Sequence, residues 1–219
     1  MEEISRVTRT KEQAKISYDK MSRWYDLMTG MEKKFRVVGL KKLDVQENEK
    51  ILEIGFGTGF CTAALAKSVG GNGKIYGLDI SEGMLKQTSS RIKKAGLEGR
   101  VELKLGDATN LPYTDNFFDA IFISFVLELF DTPDIPIVLQ QFKRVLKNEG
   151  RICVVAMSKE GKAGVMQKLY EWSHKKFPKY IDCRPIYVRQ VLEKEKFRII
   201  DAATMSMMSL PVEIVLGRK

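Results

Sequence analysis

The sequence predicts an α/β protein: a doubly wound sheet, mostly parallel, with an antiparallel last strand. Three observations predict it. Strand-like apolar runs alternate with helical patterns five times between Lys50 and Ala156, which argues for a parallel sheet covered on both faces. The first run, Ile51-Leu52-Glu53-Ile54, passes straight into Gly55-Phe56-Gly57-Thr58-Gly59 and a helical pattern. A glycine junction between strand and helix puts a ligand site at the C-terminal ends of the strands. Beyond the fifth strand the rhythm breaks, and Phe197–Ala203 and Val212–Leu216 follow each other closely. Two neighbouring strands with a short connection pair antiparallel.

Length and composition agree with that class. A chain of 219 residues suits one domain, large enough to bury a core without staples. Hydrophobic content of 44% with 30% charged residues is ordinary for a globular chain, so fibrous and disordered classes drop out. Cys61, Cys153 and Cys183 have no paired spacing and a single histidine beside them, which argues against a disulfide framework or a metal site and fits a reducing compartment. Met1–Lys15 is polar and charged, with no secretory pattern. The longest apolar stretch, Ala120–Phe130, is interrupted by Ser124 and Glu128 and is too short to span a bilayer. The expected location is cytoplasmic.

The elements read as follows. Residues 2–20 form a charged helical pattern with few apolar positions, followed by an aromatic cluster around Tyr18, Trp24 and Tyr25. A second pattern, Glu32–Leu43, carries Phe35, Val38 and Leu43. Together residues 1–49 are expected to form a helical cap over one edge of the domain. The core, residues 50–157, starts with strand Lys50–Ile54 and helix Phe60–Val69. Strand Lys74–Leu78 leads to a helix opened by Ser81 as N-cap, with Leu85, Thr88, Ile92 and Ala95 on one stripe and Gly96 ending it. Strand Val101–Leu105 ends at Gly106-Asp107-Ala108. Strand Asp119–Ile123 leads to helix Asp134–Leu146, striped by Ile135, Val138, Leu139, Phe142, Val145 and Leu146, and strand Arg151–Ala156 follows. Residues 158–219 supply helices over Gly164–Phe177 and Tyr187–Lys194 and then the hairpin.

The junction also constrains the ligand. Asp79 lies twenty residues past Gly59, at the end of the second strand. There a carboxylate can take both hydroxyls of a ribose, so the site reads as one for a nucleoside. The glycines are Gly55, Gly57 and Gly59, with Phe60 where the third glycine of a dinucleotide fingerprint would fall. An NAD-dependent oxidoreductase would also need a Tyr-x-x-x-Lys or a histidine pair, and neither occurs.

The motifs, taken in order, resemble the class I S-adenosylmethionine (SAM)-dependent methyltransferases, most closely the ubiquinone/menaquinone C-methyltransferases (UbiE-like). Ile51–Gly59 is similar to their first motif, and Gly77-Leu78-Asp79-Ile80-Ser81-Glu82-Gly83-Met84-Leu85 to their second. Gly106-Asp107-Ala108, Leu111-Pro112-Tyr113 and Asp115-Asn116-Phe117-Phe118-Asp119 resemble the third and fourth. Phe142-Lys143-Arg144-Val145-Leu146-Lys147-Asn148-Glu149-Gly150-Arg151 matches the link before strand five, with Asn148-Glu149 where Pro-Gly is usual. The resemblance covers about residues 18–157. It implies a Rossmann-like sheet of order 3-2-1-4-5-7-6, SAM as cofactor and S-adenosyl-L-homocysteine as product.

It also implies a cofactor-binding set: Glu53, Gly55, Gly57, Thr58, Gly59, Asp79, Ile80, Met84, Asp107, Ala108 and Ser124. Thr58 would bond the methionine end and Asp79 the ribose, while Ile80 and Met84 pack the adenine. Asp107 would accept the exocyclic amine, the Ala108 N–H would meet a ring nitrogen, and Ser124 would face the sulfonium. Phe60-Cys61 and the tail Phe177–Ile186 depart from the quinone enzymes' pattern.

The acceptor is less legible. Methyl transfer is an in-line displacement that needs positioning and exclusion of water, and a base only where the acceptor must lose a proton. His174 is a candidate base by chemistry, but Trp172-Ser173-His174-Lys175-Lys176 reads as a charged helix face. Tyr18, Tyr25 and Tyr170 are candidates to line an acceptor pocket, and no catalytic residue is assigned. The expected acceptor is small or lipophilic, such as a quinone precursor. The alternatives are an N-methyltransferase acting on a phospholipid or other amine, and a non-catalytic SAM- or nucleic-acid-binding module. Charge bears on the partner. The net +9 divides into +3 over residues 1–50, zero over 51–157 and +6 over 158–219. All the excess flanks the core, so Lys162, Lys168, Lys175, Lys176, Lys179, Arg184 and Arg189 are expected to favour an anionic membrane surface. No nucleic-acid partner is expected, and oligomeric state is not legible.

Overall fold

A computed structural model of the chain describes residues 6, 7, 9–22, 25, 30–160 and 184–219. Seven strands form one sheet in the order β3-β2-β1-β4-β5-β7-β6. They are β1 (Lys50–Ile54), β2 (Lys74–Asp79), β3 (Val101–Leu105), β4 (Phe118–Ser124), β5 (Leu146–Met157), β6 (Arg198–Met207) and β7 (Leu210–Arg218). β1 through β5 pair in parallel, and β7 runs antiparallel to both β5 and β6. Class and order are those expected.

Alternation along the strands explains why the sheet is covered twice, since successive side chains point to opposite faces. Leu52, Ile54, Ile121 and Ile123 pack on one face with Val138, Leu139 and Phe142. These last three come from the amphipathic helix α5 (Asp134–Val145). Ile51, Ala120, Phe122, Cys153 and Val155 pack on the other, against Phe35 and Leu65.

Phe35 belongs to α2 (Lys33–Leu43), entered through a 3-10 turn at Gly30–Glu32, and Leu65 to α3 (Phe60–Ser68). The position of α2 corrects the cap reading. It lies flat on the sheet with Phe35, Gly39 and Leu43 buried. A Cβ on Gly39 would stand 2.5 Å from Val155 Cγ2 and 3.1 Å from Phe122. The short stripe hid this because glycine contributes nothing to a hydrophobic pattern while permitting the closest approach.

The helix α1 (Lys11–Met21) does lie over the edge of the sheet. Its start is fixed by a capping box, with Gln13 N–H donating to Thr10 Oγ1 and Thr10 N–H to Gln13 Oε1. It buries no residue, so polar tethers hold it instead. Asp19 Oδ1 accepts from Ser81 Oγ at 2.6 Å and from Gly83 N–H at 2.8 Å, at the start of α4 (Glu82–Lys94). The buried stripe of α4 is Met84, Thr88 and Ile92 rather than one led by Leu85.

The hairpin is tighter and longer than expected. Met208 and Ser209 alone connect β6 to β7, both with positive φ of 50° and 66°. That is the left-handed turn whose twist suits paired strands, built here without glycine. A last helix, α6 (Val188–Lys194), packs against β6 and β7. The expected helix Gly164–Phe177 lies outside the described residues.

Candidate cofactor and acceptor site

The C-terminal ends of β1, β2, β3 and β4 open into a cleft of about 160 Å³, roofed by α1. The glycine loop forms its floor. Gly55, Gly57 and Gly59 have φ of 69°, 52° and 80°, a region costly for side-chain-bearing residues. A Cβ on Gly55 would stand 2.3 Å from Val126 Cγ2, whereas one on Gly57 would meet nothing nearer than Tyr25 at 3.7 Å. Gly55 therefore lets the strand tips approach, and Gly57 leaves its space to the cleft.

Asp79 ends β2 beside that loop. Its Oδ2 accepts from Gly57 N–H and its Oδ1 from Ser81 N–H, both at 3.0 Å. Burial pushes its carboxyl up to about 6 despite those bonds, because few charges face it and water is scarce. Asp107, one strand over, behaves oppositely. Burial raises it, but Lys11 Nζ at 2.6 Å and the Thr109 N–H at 3.0 Å outweigh that and hold it below the usual carboxylate range. Asp131 completes the edge. Its carboxylate takes Arg6 Nε and Nη2 at 2.6–3.0 Å and Val7 N–H at 2.9 Å, which holds it far below the usual range.

Tyr18, Tyr25, Gly55, Gly57, Asp79, Ile80, Met84, Asp107 and Ala108 all line the cleft. Other expected residues stand elsewhere. Glu53 is buried behind the loop, where its Oε2 accepts from Thr62 Oγ1 at 2.6 Å and burial raises its carboxyl to about 8. Thr58 lines a separate polar hollow with Ser22, Gln87 and Arg91. Gly59 allows α4 to approach, since its Cβ would stand 2.7 Å from Thr88 Cγ2. Ser124 sits at the tip of β4, its Oγ buried without a hydrogen-bond partner. Tyr170 and His174 lie outside the described residues.

The reading of the sequence missed the apolar wall made by Phe125, Val126, Leu129 and Phe130, and the roof from Thr10, Lys11 and Ala14. Phe125 takes φ of 55°, a strained choice for an aromatic residue. Nothing in its identity announces that. The Phe-Asp-Thr-Pro run after β4 was a usable sign of a loop start.

This cleft suits a nucleoside cofactor: a glycine floor, a buried carboxylate with no cation upon it among the described residues, and apolar residues Ile80 and Met84 between two acidic strand tips. The ubiE/COQ5 methyltransferase family model matches residues 2–182. The chain belongs to that family. Its cofactor is accordingly SAM, and the cleft's residues fit it. The demethylmenaquinone methyltransferase of Lactobacillus johnsonii is 40% identical over 143 residues, 64% of this chain and 56% of that protein. A Geobacillus demethylmenaquinone methyltransferase is 34% identical over 158 residues, 70% of this chain and 66% of its own length. The chain thus spans 56–66% of the length of these two relatives.

Among solved structures, a SAM-dependent methyltransferase from Aquifex aeolicus superposes with TM-score 0.62 at 25% identity, covering 84% of this chain and 88% of that one. The [4+2]-cyclase SpnF superposes with TM-score 0.79 at 18% identity, covering 99% and 98%. That likeness concerns the fold alone.

Proposed function

We propose that the chain is a single methyltransferase domain, residues 1–219, that moves a methyl group from SAM to a lipophilic acceptor of the quinone-precursor class. The observation that carries this is the pairing of Asp79 with the Gly57 amide at the mouth of an apolar cleft, in a chain of this family. The relatives' names supply the acceptor class. One sheet running through all seven strands supports the single-domain reading.

When bound, the cofactor supplies an electrophilic methyl on a sulfonium. The chain's own residues do the rest. Asp79 holds the ribose hydroxyls as an acceptor. Ile80 and Met84 pack the adenine, with Asp107 taking its amine alongside Lys11 and the Ala108 N–H facing a ring nitrogen. Gly57 lets the methionine end approach the backbone, and Ser124 faces the sulfonium side. Tyr18, Tyr25 and the wall from Phe125 to Phe130 exclude water and position the acceptor ring, which is what such a displacement chiefly needs.

The decisive experiment incubates the protein with methyl-labelled SAM and a short-chain demethylmenaquinol, and in parallel with a lipid extract. Label in the quinol's ring carbon is the expected result. Label only in a lipid amine would replace the acceptor by an N-methylated one. Binding of NAD in place of SAM by calorimetry would sink the reading altogether.

No helix among the described residues is long and apolar enough to cross a membrane. The basic flanks favour an anionic surface as the place where a lipid-borne acceptor is met. Arg184 leaves that group, because it is fully buried. Arg189 remains partly exposed beside Glu213, and the five lysines lie outside the described residues.

A further inference from the structure

Behind the apolar wall, the ends of β4 and β5 enclose two charged side chains that cofactor binding does not use. Glu128 and Arg184 are both 0% exposed. Glu128 Oε1 accepts the Met157 N–H at 3.1 Å, while Oε2 has no hydrogen-bond partner among the described residues. Arg184 Nη2 donates to the Phe130 carbonyl at 2.6 Å, while Nε and Nη1 have no partner among the described residues. The backbone brings the two together. Ser158 bridges Ile186 in parallel, with Lys159 N–H donating to Ile186 O and Ile186 N–H to Met157 O. The chain from Arg184 thus runs beside the end of β5, to which Glu128 is pinned.

Buried polar groups left unsatisfied cost about 1–3 kcal/mol each, more when charged, so native folds rarely carry three in one place. What satisfies all of them must donate to a carboxylate and accept from a guanidinium. A ring hydroxyl does both, whereas a ring ether only accepts. Neither side chain lines the cleft itself, but Glu128 adjoins Leu129 in the chain and Arg184 bonds the Phe130 carbonyl, and both of those residues line it.

We propose that Glu128 and Arg184 form the polar end of the acceptor site and hold a hydroxyl of a phenolic or quinol acceptor whose ring lies along the apolar wall. This rests on the methyl-acceptor reading above. The hydroxyl donates to Glu128 Oε2, and its oxygen accepts from Arg184. Proton transfer then breaks the acceptor's O–H bond and forms Oε2–H, the electron pair staying on the oxygen that Arg184 faces. Burial raises the Glu128 carboxyl to about 8, so the carboxylate that takes this proton predominates above that pH, and its basicity is nearer to a phenol's than an ordinary carboxylate's. The charged groups that act on Glu128 are Glu32 and Arg184, and Arg184 in turn feels Asp131 and Arg6.

The test titrates 1,4-dihydroxynaphthalene and its dimethyl ether, under reducing conditions, into the full-length protein saturated with S-adenosylhomocysteine. Wild type should prefer the diol by about tenfold or more, since a site built for a hydroxyl rejects an analogue lacking it. Glu128→Gln should abolish the preference with S-adenosylhomocysteine affinity unchanged. Its amide oxygen must stay on the Met157 N–H, which turns an NH₂ donor toward the ligand. Arg184→Met should do the same, and Arg184→Lys should restore part of it. Equal binding of diol and ether by wild type, or a preference that survives Glu128→Gln, overturns the proposal in favour of a purely structural pair. If Arg184→Met fails to fold, the near-isosteric Glu128→Gln decides. Failure of S-adenosylhomocysteine to bind wild type strikes the cofactor reading instead. The same titration without it still decides between the pair's two roles.

Discussion

At the scale of single residues, the site turns on two carboxylates with opposite surroundings. Asp79 has backbone N–H donors and burial, whereas Asp107 has a lysine. In its proposed role Asp79 gives up two hydrogen bonds when truncated, each worth about 1.5–3 kcal/mol to a charged acceptor. Asp79→Ala should therefore weaken SAM binding by about a hundredfold or more, with the apo protein's melting temperature little changed. An unchanged affinity by calorimetry would move the ribose elsewhere. The raised carboxyl adds a pH signature. The ionised form is the one that accepts both hydroxyls, and the free protein loses it as pH falls through about 6. The apparent dissociation constant for SAM should rise about tenfold for each pH unit below that point. Asp107 cannot produce this, because its carboxyl is held below the ordinary range. Titrations at pH 5 and pH 7 check it, and a flat profile would deny Asp79 the role.

At the scale of elements, α2 shows packing overriding propensity. Alanine is the better helix former by about 1 kcal/mol, so Gly39→Ala would be expected to stabilise an isolated helix. Here the new Cβ falls 2.5 Å from Cγ2 of the fully buried Val155. Overpacking of that kind costs about 1–3 kcal/mol, and it wins. Gly39→Ala should lower the melting temperature, and a rise would show that α2 can lift off the sheet freely. The roof α1 is held differently, by Asp19 on the start of α4, Lys11 on Asp107 and Arg6 on Asp131. The last two ion pairs are at least half exposed on their cationic side, so each contributes little alone.

At the scale of the whole molecule, charge and function separate along the chain. The core from residue 51 to 157 is neutral, and the flanks carry +3 and +6. Each Lys or Arg close to an acidic leaflet contributes about 1 kcal/mol, fading within a Debye length. Co-sedimentation with anionic vesicles at low salt should therefore carry the protein down. Added salt should release it, and so should changing Lys175, Lys176 and Lys179 to Glu. Protein that stays in the supernatant with strongly anionic vesicles would make a freely diffusing acceptor the better reading.

The strand order followed from the family resemblance, while the parallel core, the closing hairpin and the ends of β1 and β3 were legible from the chain alone. They rest on alternation, turn residues and a glycine junction, which are local signals with fixed periods. The resemblance named Asp79, Ile80, Met84, Asp107 and Ala108 for the cofactor, and all five line the cleft, because strand tips in a parallel sheet face one edge. What sequence could not reach depended on distances between segments remote in the chain. It could not show that Glu53 turns away from the cleft toward Thr62, or that α2 is a core layer. Nor could it show that Arg184 is buried near Glu128, fifty-six positions earlier. A charged residue carries the same letter whether it faces water or a protein interior. Only tertiary packing sets its solvent and its neighbours, and these decide what chemistry it can do.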